Sequence, residues 1–476
     1  MSAADPTTNR PTNYCKTCSL RRIRCDRTTP HCLKCTGRGL SCPGYKRQIR
    51  WVNSIASRGK FKGLSAPTLE PATLQSPEAV PSTVQSRPLA QGELDEPSQE
   101  AVNQLIEYFT LELAPKNVWV HSPENGYTRL VVRLAHTQPA LRYAIIGLSA
   151  AYQSYASAST TSGFSQKAHL KAITLITDQI RTLTSMGTNG KHTLPTGHQE
   201  ATDAVLAATL VVCNHSLLDC STADAVFHLR ATRTLIKSHL TKGATDNELF
   251  TFIANQVASL DILACTTLFD PDLVRDVVMP RLDSGSVPFG HFLLGIQRIT
   301  TVSTSSHSKG TPDGDPSFLE ELEDELELAR AATYMAVGRT LKPSRDAHLS
   351  DTTLLIEAFH QAGLIYACRR LGVGSIGGFE EVHRSKLFRL LKKAINEGSY
   401  LPGLSWPILM AGISCHGHHN RIQLVRQLCR DLVRSSPFRY YSNILRFLEE
   451  LWESSDDDWI LVARVWENRG EPLLAM

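Results

Sequence analysis

The residues best placed to do chemistry are six cysteines between positions 15 and 42, half of the twelve in the chain. Cys15, Cys18 and Cys25 form C-x2-C-x6-C, and Cys32, Cys35 and Cys42 repeat that pattern seventeen positions on. Two such triplets in register read as a metal site, and thiolates select zinc over harder cations. The ligand count then sets the stoichiometry. Two independent tetrahedral zincs need eight ligands, but the first sixty residues offer six cysteines and His31. Two Zn2+ per chain therefore fit when two thiolates bridge and four are terminal. Such a cluster keeps an excess of negative charge, suited to a segment rich in Lys and Arg. Iron–sulfur runs space their cysteines more tightly. Disulfides need an oxidising compartment, and residues 1–14 are polar, without the apolar run of a secretory signal.

The cysteines must be positioned by short helices, and the two repeats differ as helices. Between Cys18 and Cys25 lie Arg21, Arg22 and Arg24, with Lys16 just before. Leu20 and Ile23 are three apart, so both can pack inward while the arginines point out. The second repeat has only Lys34 and Arg38 between its cysteines, and Gly37 and Gly39 weaken its helix. Base reading is therefore expected from the first repeat, since Arg pairs bidentately with guanine O6 and N7. Beyond the cysteines, the basic residues of 43–62, Lys46 and Arg47 among them, suit phosphate contacts or nuclear import. A short helix over about 47–58 is too brief for a coiled coil of three or four heptads. Any dimer is therefore expected to use residues beyond 98.

With these residues in place, the stretch resembles the fungal binuclear zinc-cluster (Zn2Cys6) transcription factors. The match covers the six cysteines, Pro30 of the inter-repeat loop and the basic run Leu20-Arg21-Arg22-Ile23-Arg24. Ser19 departs from it, standing where many members carry a basic residue. The resemblance implies Cys15 and Cys32 as bridging thiolates and a short double-stranded DNA target containing CGG.

Charge supports the division of labour. Residues 1–62 hold fourteen Lys and Arg against Asp5 and Asp26, a balance of +12, and the remainder is −8 (36 against 44). A basic arm on a mildly acidic body fits a nucleic-acid partner for the arm. Residues 63–98, with six prolines and no aromatic residue, read as a flexible, disordered linker.

From residue 99 the apolar spacing turns helical and stays so. The runs are AVNQLIEYF, PALRYAIIGLSAAY, FSQKAHLKAITLITDQI, ATDAVLAATLVVC, ADAVFHLRATRTLIKSHL and NELFTFIANQVASLDILA, then PSFLEELEDELELARAATYM, TTLLIEAFHQAGLIYACRR, HRSKLFRLLKKAI, residues 404–413, NRIQLVRQLCRDLV, SNILRFLEELWE and DDDWILVARVWE. Loops are expected near 186–198, 303–316 and 372–378. The apolar stretches are read as too short to span a bilayer, so no membrane partner is expected. The fold class is thus a small N-terminal binuclear zinc-cluster domain with two short helices (1–62), a linker (63–98) and a large all-α domain (99–476). IEYF at 106–109, PALRYAIIGLSAAY at 139–152, FHLRATRTLI at 227–236 and WPILMAGISC at 406–415 resemble a fungal-specific transcription-factor regulatory domain of the second type. That resemblance implies a regulatory or interaction domain and no enzymatic activity.

Four other clusters are read as structural. Cys415-His416-Gly417-His418-His419 is taken as a joint between helices and GVGSIGG (372–378) as a loop. ELEDELEL (320–327) is an amphipathic helix with a solvated acidic face. Asp456-Asp457-Asp458 is an N-cap with first-turn acids. The function expected is a nuclear, zinc-dependent, sequence-specific DNA-binding regulator of RNA polymerase II transcription, contacting transcription machinery or co-regulators, with its helical domain as the place for any homodimer. The alternative is a zinc-cluster cofactor or repressor acting mainly by protein–protein contacts.

Overall fold

The computed structural model describes residues 15, 17–18, 21, 23–28, 31–40 and 42. It then describes 98–475 apart from 158–161, 187–195, 242–246, 283–286, 307–315, 342–345, 374–377, 397–402, 437 and 455–456. The helix expected near 47–58 and the linker up to residue 97 lie outside the described residues. The chain divides into two compact units, 1–90 and 91–476.

In the first unit a turn of helix at 17–18 is followed by α1 (Leu33–Thr36). The second unit is helical, with no strand among the described residues. It opens with α2 (Gln99–Tyr108), capped by the Ser98 hydroxyl, which accepts from the Ala101 N–H at 3.2 Å. The chain passes through π and 3-10 turns to α3 (Val132–Ala135) and α4 (Pro139–Ser157), the latter starting on the expected proline. Then come α5 (Ser162–Met186), α6 (Thr196–Leu218), α7 (Thr222–Thr241), α8 (Glu248–Cys265) and the short α9 (Pro271–Arg275). The C-terminal half holds α10 (Gly290–Ser306), α11 (Pro316–Thr340), α12 (Asp346–Leu371), α13 (Phe379–Asn396), α14 (Ser405–Ile413), α15 (His419–Ser435), α16 (Tyr441–Glu453) and α17 (Trp459–Asn468).

Two helices form the centres of packing. α6 touches α4, α5, α7 and α8, and α12 touches α10, α11, α13 and α14. Their sequences show why: residues 203–218 of α6 and 358–368 of α12 are buried on every side. A helix apolar all round belongs in a core. Here the premise that every apolar stretch is too short to span a bilayer needs correction. Gln199–Leu218 and Glu248–Cys265 are long and apolar enough, by length and composition, to cross a bilayer, yet 89% and 61% of those windows are buried within the helical body.

The helix α10 is absent from the runs read by periodicity. Its sequence, GHFLLGIQRITTVSTSS, is rich in β-branched and hydroxyl residues of modest helix propensity. Packing of Phe292, Leu293, Ile296 and Ile299, all fully buried, overrides that preference. An aromatic cluster sits beside it, where Trp119 packs on Phe289 and Phe359 with ring centroids 4.8 and 5.3 Å apart, and Phe359 stacks on Trp406 at 5.5 Å. Phe289 holds φ at 65°, a left-handed conformation that costs a bulky residue roughly 1–2 kcal/mol. Gly403, with φ at 99°, lets the chain pass over Trp119, since a Cβ there would lie 2.6 Å from the indole.

Candidate metal centre and nucleic-acid interface

The N-terminal unit has almost no conventional core. Its buried cluster consists of the six cysteines, with Ile23 packed against them among the described residues. Sulfur takes the place of hydrocarbon, and the cysteine side chains of the two repeats converge on one another. The Cys15 sulfur lies 3.5 Å from that of Cys32 and 3.7 Å from that of Cys35. The Cys18 sulfur lies 3.6 and 3.7 Å from the same two. Four thiolates around a zinc at about 2.3 Å sit roughly 3.8 Å apart along the edges of a tetrahedron, so these four sulfurs fit a zinc coordination sphere. Cys25 groups with Asp26 and Cys32, which makes Cys32 common to both clusters.

The donor chemistry demands a cation. Burial pushes the thiols of Cys15, Cys18, Cys32 and Cys35 upward, so without metal they would hold their protons. A metal ion inverts that preference and deprotonates its ligands outright. The backbone supports the charge: the Cys18 N–H donates to the Cys15 sulfur at 3.4 Å, and the Cys32 N–H to the Cys42 sulfur at 3.3 Å. His31 is exposed and lies outside these groups.

One residue of the first repeat organises the second. Asp26 accepts from the backbone N–H groups of Leu33 at 3.0 Å and Lys34 at 3.2 Å, closing the start of α1. The Thr28 hydroxyl bonds the same carboxylate, and it leads those N–H groups in holding Asp26 well below the usual carboxylate range. At the other end the Leu40 N–H reaches the Cys35 carbonyl at 3.0 Å while Gly39 adopts φ of 67°. So Gly39 terminates the helix, as its left-handed conformation allows. Sequence reasoning treated Asp26 only as a charge; an acid seven residues before a helix start gives no local capping signal.

On the first repeat, the Arg21 N–H donates to the Thr17 carbonyl at 3.2 Å and the Ile23 N–H to the Cys18 carbonyl at 3.1 Å. These bonds and the inward Ile23 fix the turn, leaving Arg21 and Arg24 exposed. Lys16, Arg22, Lys46 and Arg47 lie outside the described residues, as do Leu20 and Pro30.

Of the six other cysteines, Cys213, Cys265, Cys368, Cys415 and Cys429 are buried like small apolar residues, and burial pushes their thiols up to about 12, while Cys220 is only half-buried. The remaining clusters are structural. His416 Nε2 is 3.1 Å from the Ser454 carbonyl, in the joint between α14 and α15. Asp458 caps α17, accepting from Ile460 at 2.9 Å and Leu461 at 3.3 Å, and Asp457 pairs with Arg369 at 2.7 Å. The acidic face of α11 is solvent-exposed at Glu320, Glu321, Asp324 and Glu327. Arg298 of α10 bonds Glu325 at 2.6 Å and Glu321 at 3.1 Å, while Leu319, Leu322 and Leu326 face the core.

Comparison with known proteins bears on both units. The model described as the fungal Zn(2)-Cys(6) binuclear cluster domain matches residues 14–52. That described as the fungal specific transcription factor domain matches residues 104–468. The chain is 37% identical over 81 residues to the transcriptional regulatory protein moc3 of Schizosaccharomyces pombe, covering 17% of this chain and 15% of that one. It is 44% identical over 41 residues to the acriflavine sensitivity control protein acr-2 of Neurospora crassa, covering 9% and 7%. The chain thus aligns with only a small part of either relative. No solved structure matches. The cluster module binds two zinc ions, the number that the sharing of six thiolates requires.

Proposed function

The chain belongs to the fungal specific transcription factor domain family, with a Zn2Cys6 cluster at its N-terminal end, and on that footing we propose that it reads DNA sequence in the nucleus to control RNA polymerase II transcription. All six cysteines ligate zinc, with Cys15 and Cys32 as the bridges. The adjacency of these two sulfurs at 3.5 Å and the presence of Cys32 in both groups support that assignment. Zinc supplies the cross-link that folds the module; the chain's own residues make the contacts.

The observation that carries the reading is Arg21, exposed on a turn whose backbone is tied to Thr17 and whose next bonds anchor Ile23 on the cysteines. A guanidinium on a rigid mount suits major-groove contact to guanine in a CGG target. Arg22 shares that role, while Lys16, Arg24, Lys46 and Arg47 hold phosphates. The module covers 1–62, a linker 63–98, and the helical domain 99–476 carries regulation, partner contacts and any homodimer interface. Titration of the full chain against CGG and scrambled duplexes at several salt concentrations tests this. A preference for CGG that survives as salt rises is expected; equal affinity for both duplexes at every salt concentration overturns sequence-specific reading.

A further inference from the structure

Helix α11 is apolar on two opposite sides. Leu319, Leu322, Leu326, Ala329 and Val337 are buried in the core, and a surface helix ordinarily turns charged and polar residues the other way. On α11 that holds only towards the ends. Between them Leu328 is 71% and Met335 61% exposed, with Ala331 exposed beside them. Positions 324, 328, 331 and 335 follow steps of four, three and four, which keeps them on one stripe, and Arg339 continues it. Asp324 and Arg339 close the two ends of the stripe. Both are exposed, and neither has an ionic or hydrogen-bond partner among the described residues. The neighbouring acids are already engaged, Glu321 and Glu325 by Arg298 and Glu327 by Arg330.

The stripe is its own complement. Turned about a two-fold axis between Ala331 and Ala332, the helix sets position 324 opposite 339 and 328 opposite 335, since both pairs are symmetric about that point. An acid then meets a base twice and a leucine meets a methionine twice. The alanines at the centre let the two helices approach closely. A parallel pairing would instead set like charges against each other, which disfavours it. Beside the C-terminal half of the stripe lies a groove of about 250 Å3, with Leu282 and Val287 on one wall and Ala332, Met335 and Arg339 on the other.

We propose that the outer face of α11 is a homodimer interface, where two copies of this chain pair these helices antiparallel, each Leu328 entering the groove beside the partner's Met335 and each Asp324 meeting the partner's Arg339. The proposal rests on the reading that the helical domain carries any homodimer interface, and gives that interface a place. One helix and one groove make a small contact, of the weak and transient class. Two zinc modules held on neighbouring DNA sites would strengthen it by raising the effective concentration of one copy around the other.

Sedimentation equilibrium of the full-length chain without DNA, over a range of concentrations, is the test. A reversible monomer–dimer equilibrium is expected. Leu328→Asp should abolish it with far-UV ellipticity unchanged, because this side chain lies outside the core. Asp324→Arg and Arg339→Asp should each weaken dimerisation about tenfold, as two opposed pairs become like charges. Mixed in equal amounts, those two variants should form a heterodimer tighter than either homodimer, and the double variant should regain the original affinity. Fifteen residues separate the two positions, about 22 Å along the helix, so such a rescue cannot arise within one chain. A chain that stays monomeric overturns the interface. A dimer indifferent to Leu328→Asp overturns this face and leaves homodimerisation to another part of the domain. A dimer lost in Leu328→Asp but not rescued on mixing overturns the antiparallel register. CGG preference of Leu328→Asp on a single-site duplex is read separately, so failure of the interface and failure of DNA reading are distinguishable.

Discussion

The two units of this protein are held together by opposite means. In the zinc module the buried side chains are the six cysteines with Ile23 against them. In the helical domain a continuous apolar core runs from Val102 to Ala475. A small chain segment cannot bury enough hydrocarbon to offset its ordering entropy, so metal coordination supplies the deficit. The helical domain is large enough to do without. Stability in the first is therefore a property of metal and proton concentration, in the second of packing, and a single unfolding transition cannot describe both.

The comparison breaks most visibly under chelation. Removing zinc withdraws roughly 10–16 kcal/mol of apparent folding energy from the module. DNA binding should vanish while far-UV ellipticity and the helical Tm stay nearly constant. A helical domain that melts with the chelator would show that the two units are energetically coupled.

The next largest effect lies at Asp261. Asp261→Ala leaves Arg233 buried without its counter-charge and should cost about 3–5 kcal/mol of helical-domain stability, read by denaturant unfolding. Zinc content and DNA affinity of the folded fraction should not change. A loss below about 1 kcal/mol would mean that Arg233 finds another partner.

Within the module, Arg21→Ala should cost about 1–3 kcal/mol on a CGG duplex and relax specificity at one base pair, without loss of zinc. If the variant instead weakens CGG and scrambled duplexes alike, with only a smaller salt slope, Arg21 is a phosphate contact.

Acid separates the units more gently. Burial lowers His169 to about 3 and His215 to about 4, with His215 and then His228 adding to the effect on His169. Their rings stack at 4.2 Å, Ser165 lies 3.0 Å from His215 Nε2, and Asp219 and Asp224 oppose the shift from the rim. Both groups bind fewer protons folded than unfolded. Their contribution is constant above pH 6.5 and stability is lost as pH falls from there towards 4, by up to ~1.4 kcal/mol per pH unit for each group. A His169→Gln, His215→Gln double variant should show a shallower fall in helical Tm between pH 7 and 5. An identical slope would place the acid sensitivity elsewhere.

How much of this was legible in the sequence depends on the range of the interaction. The cysteine register was legible because metal ligands repeat at fixed spacing and admit few substitutes. Helix positions were legible where apolar residues recur every three or four places, and α10 was not, since β-branched residues masked its apolar stripe. Asp26 was invisible as a cap because its partners sit in the other repeat. Arg298 drawing in Glu321 and Glu325 is the outcome of a contact between distant segments, which no local pattern records.

The helices that cross the middle of the helical domain carry a consequence for its lifetime. Gln199–Leu218 is long and apolar enough, by length and composition, to cross a bilayer, so any opening that releases α6 presents water with a long adhesive surface. Self-association of such exposed segments outpaces refolding in large domains. The operational durability of the domain is then set by the rate of opening, not by an equilibrium. Its apparent Tm should climb with heating rate, and protein heated past the transition should not recover on cooling.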